Sequence, residues 1–261
     1  MLSFTDISVE LNDLVATVEI RRPPDNYFDV SLIHQIATAF EALDADASCR
    51  AIVLAAQGRT FCAGAQLSAG EREAATQPDR GLSVQHLYLE AVRLFATKKP
   101  IVGAIHGAAV GGGLGLALVA DFRVTCPEAR FSANFTKIGF HPGFGLTVTL
   151  PQLIGYNQAC LMFYTARRLK GDEAHALGLA DVLVPADEVR SAAISLAREI
   201  AENSPLGVAA TRATMRLGLV DRIRAATERE LREQTALRTT SDFREGVRAY
   251  AERRPPKFTG S

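Results

Sequence analysis

Between Gly107 and Leu118 the sequence Gly-Ala-Ala-Val-Gly-Gly-Gly-Leu-Gly-Leu-Ala-Leu places five glycines where an apolar strand pattern gives way to an apolar helical one. Glycines at a helix entry let a ligand come close to the backbone. The first N–H groups of a helix have no intrahelical partner and lie at the positive end of its dipole. A negative charge placed there, on a phosphate or on an enolate oxygen, would be stabilised. The same glycines would also serve if their only task were to let two elements pack tightly. A second segment, Arg59-Thr-Phe-Cys-Ala-Gly-Ala-Gln-Leu67, puts small residues in a turn after a strand and offers a further backbone N–H. Together the two segments could form a two-donor oxyanion hole, where one donor aimed at transition-state charge is worth about 3 kcal/mol.

Other chemistries find less support in the sequence. There is no G-x-x-x-x-G-K-[ST] phosphate loop, and the glycine run does not satisfy G-x-G-x-x-G in register, which disfavours a dinucleotide fold. No histidine and carboxylate pair at i, i+3 or i+4 falls in a recognisable ligand motif, so no metal is expected. The four cysteines, Cys49, Cys62, Cys126 and Cys160, are widely spaced and form no C-x-x-C pair. Together with a polar start, they suggest a reducing cytoplasm. Lys plus Arg number 29 against 29 Asp plus Glu, so no global cationic field draws the chain to nucleic acid.

The elements that must position the glycines follow from periodicity. The first twenty residues alternate as strands do around a turn at Asn12-Asp13, an opening hairpin. Ser31 is a plausible N-cap for a helix carrying Ile33, Ile36, Phe40 and Leu43 on one stripe. Buried strands are expected at 51–55, 101–105 and 122–125, with helices near 81–97 and at 112–119. Residues 101–120 match a membrane span in length and lack formal charge, but six of the twenty are glycine. A buried strand followed by a buried helix accounts for them better. From about Tyr156 helical periodicity dominates, through 186–200, 205–217, 220–237 and 241–251. The layout is an α/β core with a helical tail, in a chain whose 261 residues can bury a core without staples.

Read together, Phe61-Cys-Ala-Gly-Ala-Gln-Leu67, Ala104-Ile-His-Gly107, Gly111-Gly-Gly-Leu-Gly-Leu-Ala-Leu-Val-Ala-Asp121 and Ile138-Gly139 through Pro142-Gly143 resemble the enoyl-CoA hydratase/isomerase, or crotonase, superfamily. The likeness spans almost the whole chain in order and spacing. It implies an α/β crotonase (ClpP-like) spiral of ββα units over residues 1–200 and a helical C-terminal trimerisation region over 201–261, in a homotrimer or a hexamer. It further implies an acyl-CoA thioester as substrate, with CoA part of that substrate and no separate cofactor, and neither nucleic acid nor membrane as partner. By motif position the oxyanion donors are Ala65 and Gly112, with Gly111 beside them. Pro24 to Asn26 and Ala63 to Leu67, including Gln66, are the implied contacts of the nucleotide end, with Lys257 and Phe258 of the tail adding to it.

The departures from the family pattern matter as much. Hydratases of this family add water with two glutamates, and the matching positions here hold Gly115 and Phe135. The position after Pro142, acidic in some isomerases and dehalogenases, is Gly143. Positioned acids and bases contribute roughly 10²- to 10⁴-fold each, so conventional hydration is not expected. His141, in the loop that lines the pocket in relatives, is the first substitute proton carrier. Its plainer role is a hydrogen bond to loop backbone. Glu71 and Glu73 follow the Ala65 motif but read as a solvated face. His86 and Tyr88 begin a helix beside the pocket, where packing explains them. Cys62 raises a nucleophile hypothesis without a neighbouring base, His106 reads as structural, and His34 and His175 have nothing nearby to recommend them. The expectation is an enzyme acting through an enolate-like intermediate, by isomerisation, decarboxylation or thioester hydrolysis. The rival is a non-catalytic acyl-CoA-binding homologue.

Overall fold

The computed structural model describes residues 3–65 and 80–261, with residues 80–86 described by their backbone alone. The opening alternation forms the hairpin β1 (Ile7–Asn12) and β2 (Val15–Ile20), with Asn12 opposite Val15. The turn therefore falls on Asp13 and Leu14, one residue later than the sequence suggested. These two adopt φ of 46° and 72°, the positive pair that matches strand twist in a two-residue hairpin. Helix α1 (Val30–Ala45) buries Ile33, Ile36, Phe40 and Leu43 as one stripe. Its N-cap is Asp29 and not Ser31: the Asp29 carboxylate accepts the Leu32 N–H at 2.9 Å, so the helix starts before Ser31.

Beside β2 run β3 (Ala51–Ala56), β5 (Ile101–Ile105), β7 (Phe122–Thr125) and β10 (Val182–Leu183), all parallel, in the order β1-β2-β3-β5-β7-β10. Every residue of β3 and β5 is buried, which is why their sequences are apolar without alternation. A second, smaller sheet escaped the periodicity reading. It consists of β4 (Thr60–Cys62), β6 (Ala108–Val110), β8 (Arg130–Ser132) and β9 (Arg168–Lys170), in that order. Three residues are too few to show a period.

The two sheets are stitched by corners. The chain leaves β3, β5 and β7, turns sharply, and continues as β4, β6 and β8. At one corner a Cβ on Gly107 would lie 2.3 Å from the Arg59 carbonyl oxygen, so glycine is obligatory there. Helices complete each unit: α2 (Arg80–Phe95), then α3 (Gly112–Ala117), then a 3-10 turn (Thr136–Ile138) with α4 (Leu146–Ile154) and α5 (Tyr156–Thr165). This is a spiral of strand, strand and helix. The apolar run 101–120 is divided among β5, β6 and α3. Among the described residues no helix is long and apolar enough to cross a membrane.

After β9 and α6 (Gly171–Ala176) the chain is helical: α7 (Val189–Ala201), α8 (Pro205–Met215), α9 (Leu219–Leu237) and α10 (Ser241–Ala251). Helix α7 packs on β3, β5 and β7 and buries Val189, Ala193, Ala197 and Ala201, small residues four apart that permit close approach. The Asp121 carboxylate receives Arg212 Nε at 2.9 Å and Arg216 Nη1 at 2.8 Å, which ties the end of the glycine-rich segment to α8. Helix α9 packs on α2 and α4, and α10 packs on the 3-10 turn at 136–138. Both therefore reach back to the loops at the ends of the small sheet.

Candidate active site

The ends of β4 and β6 meet backbone to backbone. A Cβ on Gly113 would lie 2.1 Å from the Cys62 carbonyl oxygen, and one on Gly64 would lie 2.7 Å from that of Val110. The close packing that glycine permits is therefore present, and it brings two peptide groups together. In the first, the Gly64 carbonyl accepts the Phe28 N–H at 3.0 Å. Because a trans peptide holds its C=O and N–H antiparallel, the Ala65 N–H points the opposite way, away from Phe28. In the second, the Gly111 carbonyl accepts from Leu114 at 3.0 Å and Gly115 at 3.2 Å, so the Gly112 N–H points back off the start of α3. Among the described residues neither N–H has a backbone acceptor. The Gly112 nitrogen is 3.6 Å from where a Gly64 Cβ would sit, so the two groups are neighbours.

Both Ala65 and Gly112 line a cavity of about 830 Å³. Its apolar wall is aromatic: Phe28, Phe135, Phe140 and Phe144, with Leu87 and Ile138. The Phe28 ring lies directly over Gly112, where an added Cβ would be 2.4 Å from Cζ. Phe28 also packs against Phe144 at 5.5 Å between centroids. Gly115 is beneath Phe144, with no room for a side chain: a Cβ would lie 2.7 Å from that of Phe144. Phe135 is buried and faces the cavity. Asp25 is the one carboxylate among the described lining residues, and Arg59 holds it at 2.9 Å.

Of the remaining residues singled out in the sequence, Ala63 and Gly111 line the cavity. Gln66, Leu67, Glu71 and Glu73 lie outside the described residues, and His86 is described by backbone only. Asn26 is fully buried and turns inward, donating to the carbonyls of Gln57 at 2.6 Å and Thr60 at 2.7 Å. Its neighbours Asp25 and Tyr27 face the cavity, whereas Pro24 does not line it. The His141 ring places Nδ1 2.7 Å from the Pro142 carbonyl, which makes Nδ1 the protonated nitrogen, and His141 is not among the lining residues. Lys257 N–H is bound by Glu245 at 2.9 Å beside a separate pocket, and Phe258 is half exposed. His106 Nε2 lies 2.9 Å from the Gly58 carbonyl. Burial pushes the Cys62 thiol up to about 12, so it is no nucleophile at neutral pH.

Three polar residues of the cavity and its loop were missed or underrated in the sequence. Tyr88 Oη donates to Gln234 Oε1 at 2.7 Å, and Gln234 Nε2 donates to the His141 carbonyl at 2.9 Å. One turn away on α9, buried Glu230 accepts Gly145 N–H at 2.9 Å and the Thr147 hydroxyl at 2.6 Å. Burial raises the Glu230 carboxyl and raises the Tyr88 phenol strongly, so the phenol stays protonated. A Cβ on Gly143 would lie 2.1 Å from Tyr88 Oη, so the phenol takes the space a side chain at 143 would need. The available signal was polar residues on the inward stripe of α9, at Thr227, Glu230 and Gln234.

The family model for enoyl-CoA hydratase/isomerase matches residues 10–261. The chain belongs to the enoyl-CoA hydratase/isomerase family. A carnitinyl-CoA dehydratase of Proteus mirabilis is 32% identical, with 94% of this chain and 95% of that one covered. A 1,2-epoxyphenylacetyl-CoA isomerase of Escherichia coli is 30% identical over 94% and 95%. The crystal structure of an enoyl-CoA hydratase from Mycobacterium avium subsp. paratuberculosis superposes with a TM-score of 0.85, at 28% identity over 98% of this chain and 100% of that one. The family's fold is thus the crotonase fold, and this chain is an acyl-CoA-processing member of it.

Proposed function

We infer that the protein activates an acyl-CoA thioester by holding its carbonyl oxygen between the Ala65 and Gly112 N–H groups, so that negative charge gathers there as an enolate-like intermediate. The observation that carries this reading is the pair of peptides whose carbonyls are anchored behind them while their N–H groups share one cavity. Donors fixed in this way need no reorganisation as charge develops, which is the source of their catalytic value.

The reaction is not hydration by paired glutamates. The matching positions are Gly115, packed under Phe144, and Phe135, whose ring faces the cavity. Asp25 is engaged by Arg59. Among the described residues the one carboxylate lining the cavity is thus already engaged, and for the proton we assign His141, on the loop whose Phe140 and Gly143 line the cavity, through Nε2, the nitrogen left over once Nδ1 donates to Pro142. Isomerisation, decarboxylation and thioester hydrolysis all fit an anion hole with a single imidazole beside it, and the aromatic wall favours an apolar acyl group. The missing carboxylates support a second reading, a homologue that binds acyl-CoA without turning it over. Exposed Leu206, Met215 and Leu217 on and beside α8 support residues 201–261 as the surface of a homotrimer or hexamer. The described cysteines are free thiols, which suits a reducing cytoplasm.

A panel of CoA thioesters assayed in heavy water tests this. Exchange of the α-carbon proton, or product, supports the enzyme; tight binding with neither leaves only the binding protein. Gly112→Pro, which lacks the donor, is expected to abolish exchange, provided circular dichroism shows that the fold survives the contact its ring makes with Phe28. His141→Ala is expected to lower exchange at least tenfold, and an unchanged rate takes His141 out of the mechanism.

A further inference from the structure

The cavity that holds the two backbone donors has chemically different ends. At one end Arg168 and Arg253 open into a second cleft of about 750 Å³, and Arg59 is tied to Asp25. At the other end stands Arg238, which lines the first cavity and not the second. Arg238 follows α9 with helical φ of −56° and ψ of −27°, so it continues the stripe of Glu230 and Gln234 at a spacing of four residues. Its guanidinium carbon lies 4.9 Å from the ring centroid of Phe140 and 5.9 Å from that of Phe243. Ring faces of this kind hold a cation in an otherwise apolar wall.

The contacts also give an order of encounter for an acyl chain that leaves the oxyanion hole. Phe28 covers Gly112 and packs on Phe144. Gly143, the next residue, faces Tyr88 Oη, and that phenol donates to Gln234 at 2.7 Å. Arg238 is one helical turn further. Burial raises the Tyr88 phenol, and the Arg238 charge is among the influences that pull it back, so the guanidinium lies within electrostatic reach of Oη. The chain thus meets rings first and a cation last.

No described carboxylate balances that charge from the cavity wall, since Asp25 belongs to the opposite end. Glu230 shares the stripe, but its carboxylate accepts Gly145 N–H, Thr147 N–H and the Thr147 hydroxyl, and burial raises it toward its neutral form. Tyr88 and Gln234 are neutral and bound to each other. A guanidinium has five N–H donors, so it can bind a carboxylate through two of them and keep three for other contacts.

We propose that the acyl group carries a carboxylate at its far end, so that the ligand is the CoA thioester of a dicarboxylic acid, with Arg238 as the specificity-determining residue. The inference rests on the reading of the first cavity as a CoA-thioester site and names its substrate class. A methyl end would strip water from the guanidinium and return nothing, which is unfavourable. A carboxylate replaces that water with paired, charge-assisted hydrogen bonds. The middle of such an acyl group is apolar, as the aromatic wall requires.

The test measures dissociation constants on the whole protein by titration calorimetry, for thioesters matched in length: succinyl- against butyryl-CoA, glutaryl- against pentanoyl-CoA, and adipyl- against hexanoyl-CoA. At one length or more the carboxylated thioester is expected to bind at least tenfold more tightly. That ratio is expected to shrink as salt rises. Arg238→Met keeps most of the side-chain length without the charge and is expected to bring the ratio close to one. Arg238→Lys, which keeps the charge but loses the fork, is expected to retain part of it. Should circular dichroism show that Arg238→Met does not fold, Arg238→Gln carries the same comparison. A ratio near one at every length in the unaltered protein overturns the proposal. A ratio that survives removal of the charge assigns the acid to another cation and overturns it too. Binding of CoA and the neutral thioesters without any preference overturns this proposal alone, whereas binding of no CoA compound overturns the reading of the cavity and the proposal with it.

Discussion

Replacing Tyr88 by Phe removes one oxygen from a buried chain of hydrogen bonds while leaving the ring that packs the cavity wall. In the folded protein Tyr88 Oη is 2.7 Å from Gln234 Oε1, and Gln234 is only 3% exposed. Gln234 cannot turn to a new partner, because its Nε2 is committed to the His141 carbonyl at 2.9 Å. Tyr88→Phe therefore strands a buried acceptor, at a cost of about 1–3 kcal/mol. The expected result is a drop of roughly 2 kcal/mol in urea unfolding free energy with the m-value unchanged. Pairing it with Gln234→Leu in a double-mutant cycle is expected to show coupling of about 1 kcal/mol, since the second change removes the stranded group. A loss below about 0.5 kcal/mol, or additive single effects, would refute the claim that this bond holds α2 to α9. The titration adds an independent check. Burial raises the Tyr88 phenol above its ordinary 10.0, so its contribution to stability is whole below that pH and is lost as pH rises beyond it. Tyr88→Phe is expected to soften the alkaline fall in stability; an identical fall in both proteins would contradict the burial argument.

Other outcomes follow from the same contacts. Gly113→Ala puts a Cβ 2.1 Å from the Cys62 carbonyl oxygen, a clash with backbone that no rotamer relieves, so about 3 kcal/mol or more of stability is expected to be lost in thermal unfolding. Cys62, with its thiol pushed up to about 12, is expected to resist iodoacetamide at pH 8 in the folded protein and to react once unfolded; rapid labelling under native conditions would show the opposite. Glu245 is held well below its ordinary 4.5 by Arg254, Arg248 and the Lys257 N–H. The tail contacts it makes are therefore intact above that value and are lost as pH falls through the lowered one. Limited proteolysis with an acid-active protease is expected to cut the tail increasingly as pH falls below the ordinary 4.5, and Glu245→Gln, which cannot ionise, to expose the tail at every pH.

Much of the fold is written in local pattern. The hairpin at 7–20, the buried strands at 101–105 and 122–125 and helix α10 at 241–251 declare themselves because strands and helices impose fixed periods on apolar residues. The glycine run declared a close backbone approach because only glycine leaves room for one. Asp29 shows the limit of local reading. It and Ser31 both have capping side chains, and the choice between them depended on where the extended chain from the 22–28 loop enters α1.

The three-residue strands β4, β6 and β8 had no period to display, and they acquire strand geometry only by pairing with one another across long loops. The composition of the cavity is more distant still from local pattern. Tyr88 meets Gln234 across 146 positions, and Arg168 and Arg253 line one cavity because α10 folds back on the 136–138 turn. A side chain's type is set by its codon, but its partners are set by which surfaces the packed helices bring together. The amino-acid order alone therefore pointed to the family, and through that resemblance to the two backbone donors proposed above. Only the folded chain decided that a phenol fills the space beside Gly143 and that Arg168 and Arg253 line one opening, because both facts arise from contacts between distant segments.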